Sequence, residues 1–134
     1  MLFLGAGVLA VGLVSLIDLG QVSLPITFFD ATIATVLLAV MIMISMLGIH
    51  PIVQVAGFVP LLLVVDPDPQ LLALTFMFAW GLGTSASPLS GTHLVMQGRY
   101  GIPSWKGAIH NLPFVAVMYF VSVGLIFLMQ AIRL

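Results

Sequence analysis

Every charged side chain in this sequence falls in a gap between long stretches that carry none. Asp18, Asp30, Asp66, Asp68, Arg99, Lys106 and Arg133 bracket uncharged apolar runs over residues 1–17, 31–65, 71–98 and 108–132. A helix rises about 1.5 Å per residue, so about 20 apolar residues cross a hydrocarbon core ~30 Å thick. Runs of this length cannot be covered in water by three basic and four acidic residues, which make only 5% of the chain charged. Soluble domains carry about a quarter. The expected protein is therefore all-α and integral to the membrane: one polytopic transmembrane domain over residues 1–134, held in the lipid bilayer of the cell inner membrane.

Other classes fall away quickly. The chain has no cysteine, which removes disulfide frameworks and thiol chemistry. A net charge of −1 offers no basic surface to nucleic acid. Met1-Leu2-Phe3-Leu4 opens apolar, with neither a charged leader nor a small-residue cleavage site, so a signal peptide is not expected. A start inside a hydrophobic run points to a piece of a longer protein.

Two of the runs are interrupted. Ala31 to Leu47 approaches spanning length and then meets Gly48-Ile49-His50-Pro51, where Gly suits a helix end and Pro the first turn of the next helix. Ile52 to Val65 gives only about 21 Å of helix and carries Gln54, Gly57 and Pro60. Residues 31–65 are expected to form a re-entrant hairpin with its tip near His50; the competing arrangement is two ordinary spans, the second thinning the bilayer. Asp66-Pro67-Asp68-Pro69 stops the helix at a surface.

The run 71–98 divides differently. Residues 71–83 give about 20 Å of helix and residues 90–98 about 13 Å, together one crossing. The hydroxyl-rich stretch between them should then lie at membrane depth, as the break in a transmembrane helix. Arg99 to Lys106 is the most basic loop, carries Tyr100 and Trp105 as interface anchors, and is placed in the cytoplasm. The acidic loop 66–69 and the C-terminus then face outside.

Hydrocarbon offers no hydrogen-bond partners, so irregular backbone at that depth must be buried in protein or line a wet cavity. Transporters use such breaks to hold ions and solutes. Thr84, Ser85, Ser87, Ser90 and Thr92 supply neutral oxygens, Gly83 and Gly91 permit close approach, and Pro88 breaks the ladder. A hard cation such as Na⁺ would find hydroxyls at Ser87, Ser90 and Thr92. The plainer explanation is a kinked helix whose small residues allow tight packing.

A hairpin with Pro at its tip, an acidic loop, and a crossing helix interrupted by Ser87-Pro88-Leu89-Ser90-Gly91 resembles the repeat unit of the ion transporter superfamily. That group includes divalent-anion/Na⁺ symporters, citrate–metal symporters, the membrane subunit of tripartite dicarboxylate transporters, and arsenite and Na⁺/H⁺ antiporters. Its members carry two inverted repeats, and residues 31–132 have room for one. The resemblance implies the C-terminal half of a secondary active transporter, not an enzyme, that moves a small anionic solute with Na⁺ or H⁺ and needs no cofactor. It implies as partners an N-terminal repeat or a second subunit, with a homodimer among the expected assemblies. It also implies a site made by Gly48, His50 and Pro51 at the tip and by Thr84, Ser85, Ser87, Pro88, Ser90, Gly91, Thr92 and His93 at the break. The Ser-Asn-Thr signature of the divalent-anion branch is absent, and the only Asn is Asn111.

Other readings are plainer. A non-transporting membrane subunit or anchor would use both breaks as packing kinks. A Ser90–His93 pair suggests intramembrane proteolysis, but no oxyanion pattern accompanies it. His50, His93 and His110 lack the spacing of paired haem ligands. His110-Asn111 opens the last span as a cap, with Pro113 in the first turn. Trp80 is expected to pack inside a span, with a cavity wall as the alternative.

Overall fold

The computed structural model describes residues 2–20 and 26–133. Met1, residues 21–25 and Leu134 lie outside the described residues. Six helices follow one another: α1 (Leu2–Asp18), α2 (Ala31–Met46), α3 (Pro51–Leu63), α4 (Pro69–Ala86), α5 (Gly91–Tyr100) and α6 (Ser104–Arg133). Among the described residues there is no strand.

Local chemistry sets these boundaries. Asp30 caps α2 by accepting from the Ile33 amide at 2.8 Å. Asp68 caps α4 by accepting from the Gln70 and Leu71 amides at 2.9 Å each, with Pro69 at the first helical position. Gly101 ends α5 in the left-handed region with φ +67°. Pro60 and Pro113 both fall inside helices. Pro113 was expected in a first turn, but α6 begins at Ser104, more than two turns upstream. Pro at an interior position leaves the carbonyl four residues before it without its helical partner.

Two segments are long and apolar enough to cross a membrane, Pro69–Tyr100 with its interruption and Ser104–Ile132, while α2 and α3 are apolar but shorter. α4 is the hub. It packs on α2, α3 and α6, while α2 also meets α6 and α1 rests on α3. The two arms of the expected hairpin therefore go chiefly to different neighbours. Ala31, Ala34, Leu38, Met41, Ala79 and Ile126 are wholly buried, and the alanines let the backbones approach closely enough for dispersion contacts to accumulate.

Four side chains in this core make hydrogen bonds to backbone groups. The Gln130 side-chain oxygen accepts from the Ala31 amide, and Tyr119 donates to the Thr35 carbonyl at 3.3 Å, both tying α2 to α6. Thr75 and Ser122 donate back to carbonyls one turn earlier in their own helices, at 2.8 Å each. α6 is the more outward-facing of the two long segments: 17% of its apolar window is buried within the chain, against 44% for Pro69–Tyr100.

Candidate functional site

The two interruptions come together. Leu47 to His50 joins α2 to α3, and at its centre Gly48 has φ +93°, a conformation that costs an L-residue about 1–2 kcal/mol. Leu89, inside the second interruption, lies over it; a Cβ on Gly48 would sit 2.8 Å from Leu89 Cδ1. One turn earlier, Ser45 of α2 and Pro51 of α3 press on Gly83 of α4, where a Cβ would lie 2.6 Å from Ser45 Oγ and 3.1 Å from Pro51 Cγ. His50 stacks edge-on against Trp80, with ring centroids 5.5 Å apart.

At the tip, His50 Nδ1 accepts from the Ile52 amide at 3.2 Å and caps α3. Neutral His50 must then carry its proton on Nε2. Gln54, buried one turn into α3, donates from Nε2 to Ser45 Oγ at 2.7 Å and to the Ile49 carbonyl at 3.0 Å. A carbonyl only accepts, so the amide orientation is fixed, and Gln54 Oε1 is left buried without a partner.

The irregular backbone of the second interruption is shorter than the stretch Thr84–Thr92. α4 continues through Ala86, and within it the Thr84 hydroxyl donates to the Trp80 and Gly81 carbonyls at 2.8 and 3.1 Å and Ser85 donates to Gly81 at 2.9 Å. These hydroxyls are engaged inside their own helix. Ser87 then turns to extended dihedrals (φ −82°, ψ 125°) ahead of Pro88, as the residue before proline prefers. Ser90 restarts the helix as the N-cap of α5, and Gly91 and Thr92, both exposed, follow in its first turn.

The centre of this interruption is His93, which is 6% exposed. Its Nδ1 lies 2.8 Å from both Ser90 Oγ and the Ser87 carbonyl oxygen. The carbonyl cannot donate, so Nδ1 carries the proton and Nε2 is the acceptor. Nε2 in turn faces the Asn111 amide nitrogen at 3.3 Å, and the same nitrogen donates to the Ser85 carbonyl at 3.3 Å. Ser90 is therefore an acceptor for His93, which is the wrong polarity for a serine activated as a nucleophile. Gly107 gives the imidazole its space, since a Cβ there would lie 2.6 Å from His93 Cδ2.

The expected tip residues Gly48, His50 and Pro51 thus meet the α4 end and the interruption, while Ser87, Ser90 and His93 form a second, hydrogen-bonded group within it. Thr92 points outward, and the Ser90 hydroxyl and Ser87 carbonyl are engaged by His93. Among the described residues no three His, Cys, Asp or Glu side chains come together. Trp80 is 40% exposed and lines an apolar groove of about 410 Å³ between α3 and α4. A second groove of about 430 Å³ runs between α2 and α6 and is lined by residues including Ala39, Leu112 and Phe120. Sequence reading assigns no role to Ser45 or Gly107, names Leu89 only within its motif, and reads Asn111 as a cap, whereas it lies inside α6. The available signal was weak: a lone Asn at a place where helix capping explained it.

No protein-family model, curated protein or solved structure matches this chain.

Proposed function

We propose that this chain is one half of a secondary active transporter in the cell inner membrane, moving a small anionic solute coupled to Na⁺ or H⁺. The observation that carries the reading is the meeting of the two interruptions, Gly48 beneath Leu89 and Gly83 between Ser45 and Pro51. Backbone interrupted at membrane depth is tolerated only where neighbouring protein or a polar cavity satisfies it. Here each interruption is capped by side chains and each abuts the other, as two discontinuous elements around a shared site would. The single pair in residues 31–100 fits one repeat, completed by an N-terminal repeat, a partner subunit or a second copy.

The test is flux. Membrane vesicles from cells carrying the protein in its native gene context should take up at least one of a panel of radiolabelled carboxylates, phosphate and arsenite under an imposed Na⁺ or H⁺ gradient. Uptake should be lost in Ser90→Ala. Vesicles that contain the chain at native levels and take up none of them would sink the transport reading.

A second reading, a non-transporting membrane subunit, draws on the apolar groove between α2 and α6 and on the outward-facing α6. It expects a stable complex after mild solubilisation and no gradient-driven flux.

A further inference from the structure

One side-chain amide holds both ends of the interrupted helix. The nitrogen of Asn111 has two hydrogens; one points at the Ser85 carbonyl in the last turn of α4, the other at His93 Nε2 in the first turn of α5, each at 3.3 Å. Ser85 lies before the interruption and His93 after it, so Asn111 bridges Ser87–Ser90 from outside, on α6. The bridge needs the imidazole fixed, and two features fix it. The Ser87 carbonyl and Ser90 hydroxyl hold Nδ1 at 2.8 Å, which leaves Nε2 as a lone pair for Asn111. Gly107, one turn before Asn111 on the same face of α6, leaves room for the ring edge. Any larger residue at 107 would displace the ring.

We propose that Asn111 is a positioning residue of the site, clamping the two half-helices to α6 so that the interruption keeps one geometry and moves with α6. The proposal rests on the transport reading for its purpose, because a shared ion or solute site needs the α4 and α5 ends held at a fixed separation. It rests on geometry alone for its existence. Asn111 acts through His93 and Ser85 and is assigned no contact with solute.

The chain has no cysteine, so spin labels can be placed at pairs of introduced cysteines without background. In the full chain in lipid nanodiscs, labels at Met77 and Val95 report the distance across the interruption, and labels at Val36 and Met77 report the α2–α4 packing as a reference. Both pairs should give single narrow distributions in the native background. Asn111→Leu, and independently Asn111→Asp, which sets an acceptor against the Ser85 carbonyl, should broaden the Met77–Val95 distribution at least twofold and leave Val36–Met77 unchanged. A general packing defect would broaden both pairs, and a passive Asn111 would broaden neither; each result overturns the proposal. A second measurement requires no variant: ¹⁵N spectra of labelled histidine at mildly alkaline pH should show His93 protonated on Nδ1 with Nε2 unprotonated. Protonation on Nε2 instead would rule out the bridge. No solute enters either experiment, so the clamp can fail while flux is observed, and flux can be absent while the clamp stands.

Discussion

Gly83 on α4 and Ser45 on α2 face each other with no side chain between them: a Cβ on Gly83 would lie 2.6 Å from Ser45 Oγ. The serine is not free to yield, because Gln54 donates to its oxygen at 2.7 Å, and Pro51 closes the other side at 3.1 Å. Gly83→Ala should therefore separate α2 from α4 at the point where the interruptions meet. The overpacking is expected to cost about 1–3 kcal/mol, more than the ~1 kcal/mol that alanine gains over glycine in a helix. Gly91→Ala is the matched control, since nothing lies within 4 Å of its added Cβ. Thermal unfolding in detergent should lower the midpoint for the first and leave the second unchanged or slightly raised; equal midpoints would show that the α2–α4 contact is slack.

Gly48 separates two effects that usually travel together. Its φ of +93° strains any L-residue, which accounts for about 1–2 kcal/mol. Leu89 Cδ1, 2.8 Å from the added Cβ, adds a steric part. Gly48→Ala should destabilise the chain, and Leu89→Ala placed on top should recover the steric part but not the strain. A double-mutant cycle that shows no coupling between positions 48 and 89 would mean that Leu89 does not rest on the tip.

What the sequence made legible follows from what periodicity and breakers can report. Charge punctuation and proline placed the apolar segments, and Gly48-Ile49-His50-Pro51 and Ser87-Pro88 marked both interruptions, because a missing amide or a positive φ leaves a local trace. The extent of the second interruption was overstated: Thr84 and Ser85 look polar in sequence yet close hydrogen bonds inside their own helix. Pairings across elements left no such trace. Asn111 reaches residues 18 and 26 positions away, and nothing in the span around it separates that role from a helix cap. Ser45, in the midst of Met41, Ile42, Met43 and Met46, gave no sign that it faces Gly83.

His50 and Trp80 should couple measurably. The imidazole caps α3 through Nδ1 and meets the indole edge-on at 5.5 Å. Losing a side-chain cap costs about 0.5–2 kcal/mol, and an edge-to-face pair contributes about 0.5–1.5 kcal/mol beyond burial. His50→Ala removes both and should destabilise the chain by their sum, while the cycle between positions 50 and 80 should return an interaction of about 0.5–1.5 kcal/mol. His50→Asn keeps an acceptor for the Ile52 amide and should restore the cap without restoring the edge-to-face pair. An Asn variant as unstable as the Ala variant would show that the pairing of the two rings, not the cap, holds the tip.

Ser90 and Thr92 stand two residues apart and should behave oppositely. Ser90 is 4% exposed, caps α5 by accepting from the His93 amide at 3.4 Å, and accepts again from His93 Nδ1 at 2.8 Å. Ser90→Ala removes both hydrogen bonds and leaves a buried imidazole N–H with only the Ser87 carbonyl, so the loss should exceed an ordinary cap and reach about 1–3 kcal/mol. Thr92 is exposed in the first turn of α5, and Thr92→Val should change stability by less than about 0.5 kcal/mol. The pair also divides the explanations of flux. If a cation were held by Ser87, Ser90 and Thr92 together, Thr92→Val would reduce uptake without touching stability. If the geometry around His93 is what matters, uptake should follow Ser90 alone, and Ser90→Thr, which keeps the hydroxyl, should restore it. Measuring uptake and unfolding midpoint on the same three preparations decides between them, because only the first arrangement lets a stable Thr92 variant lose transport.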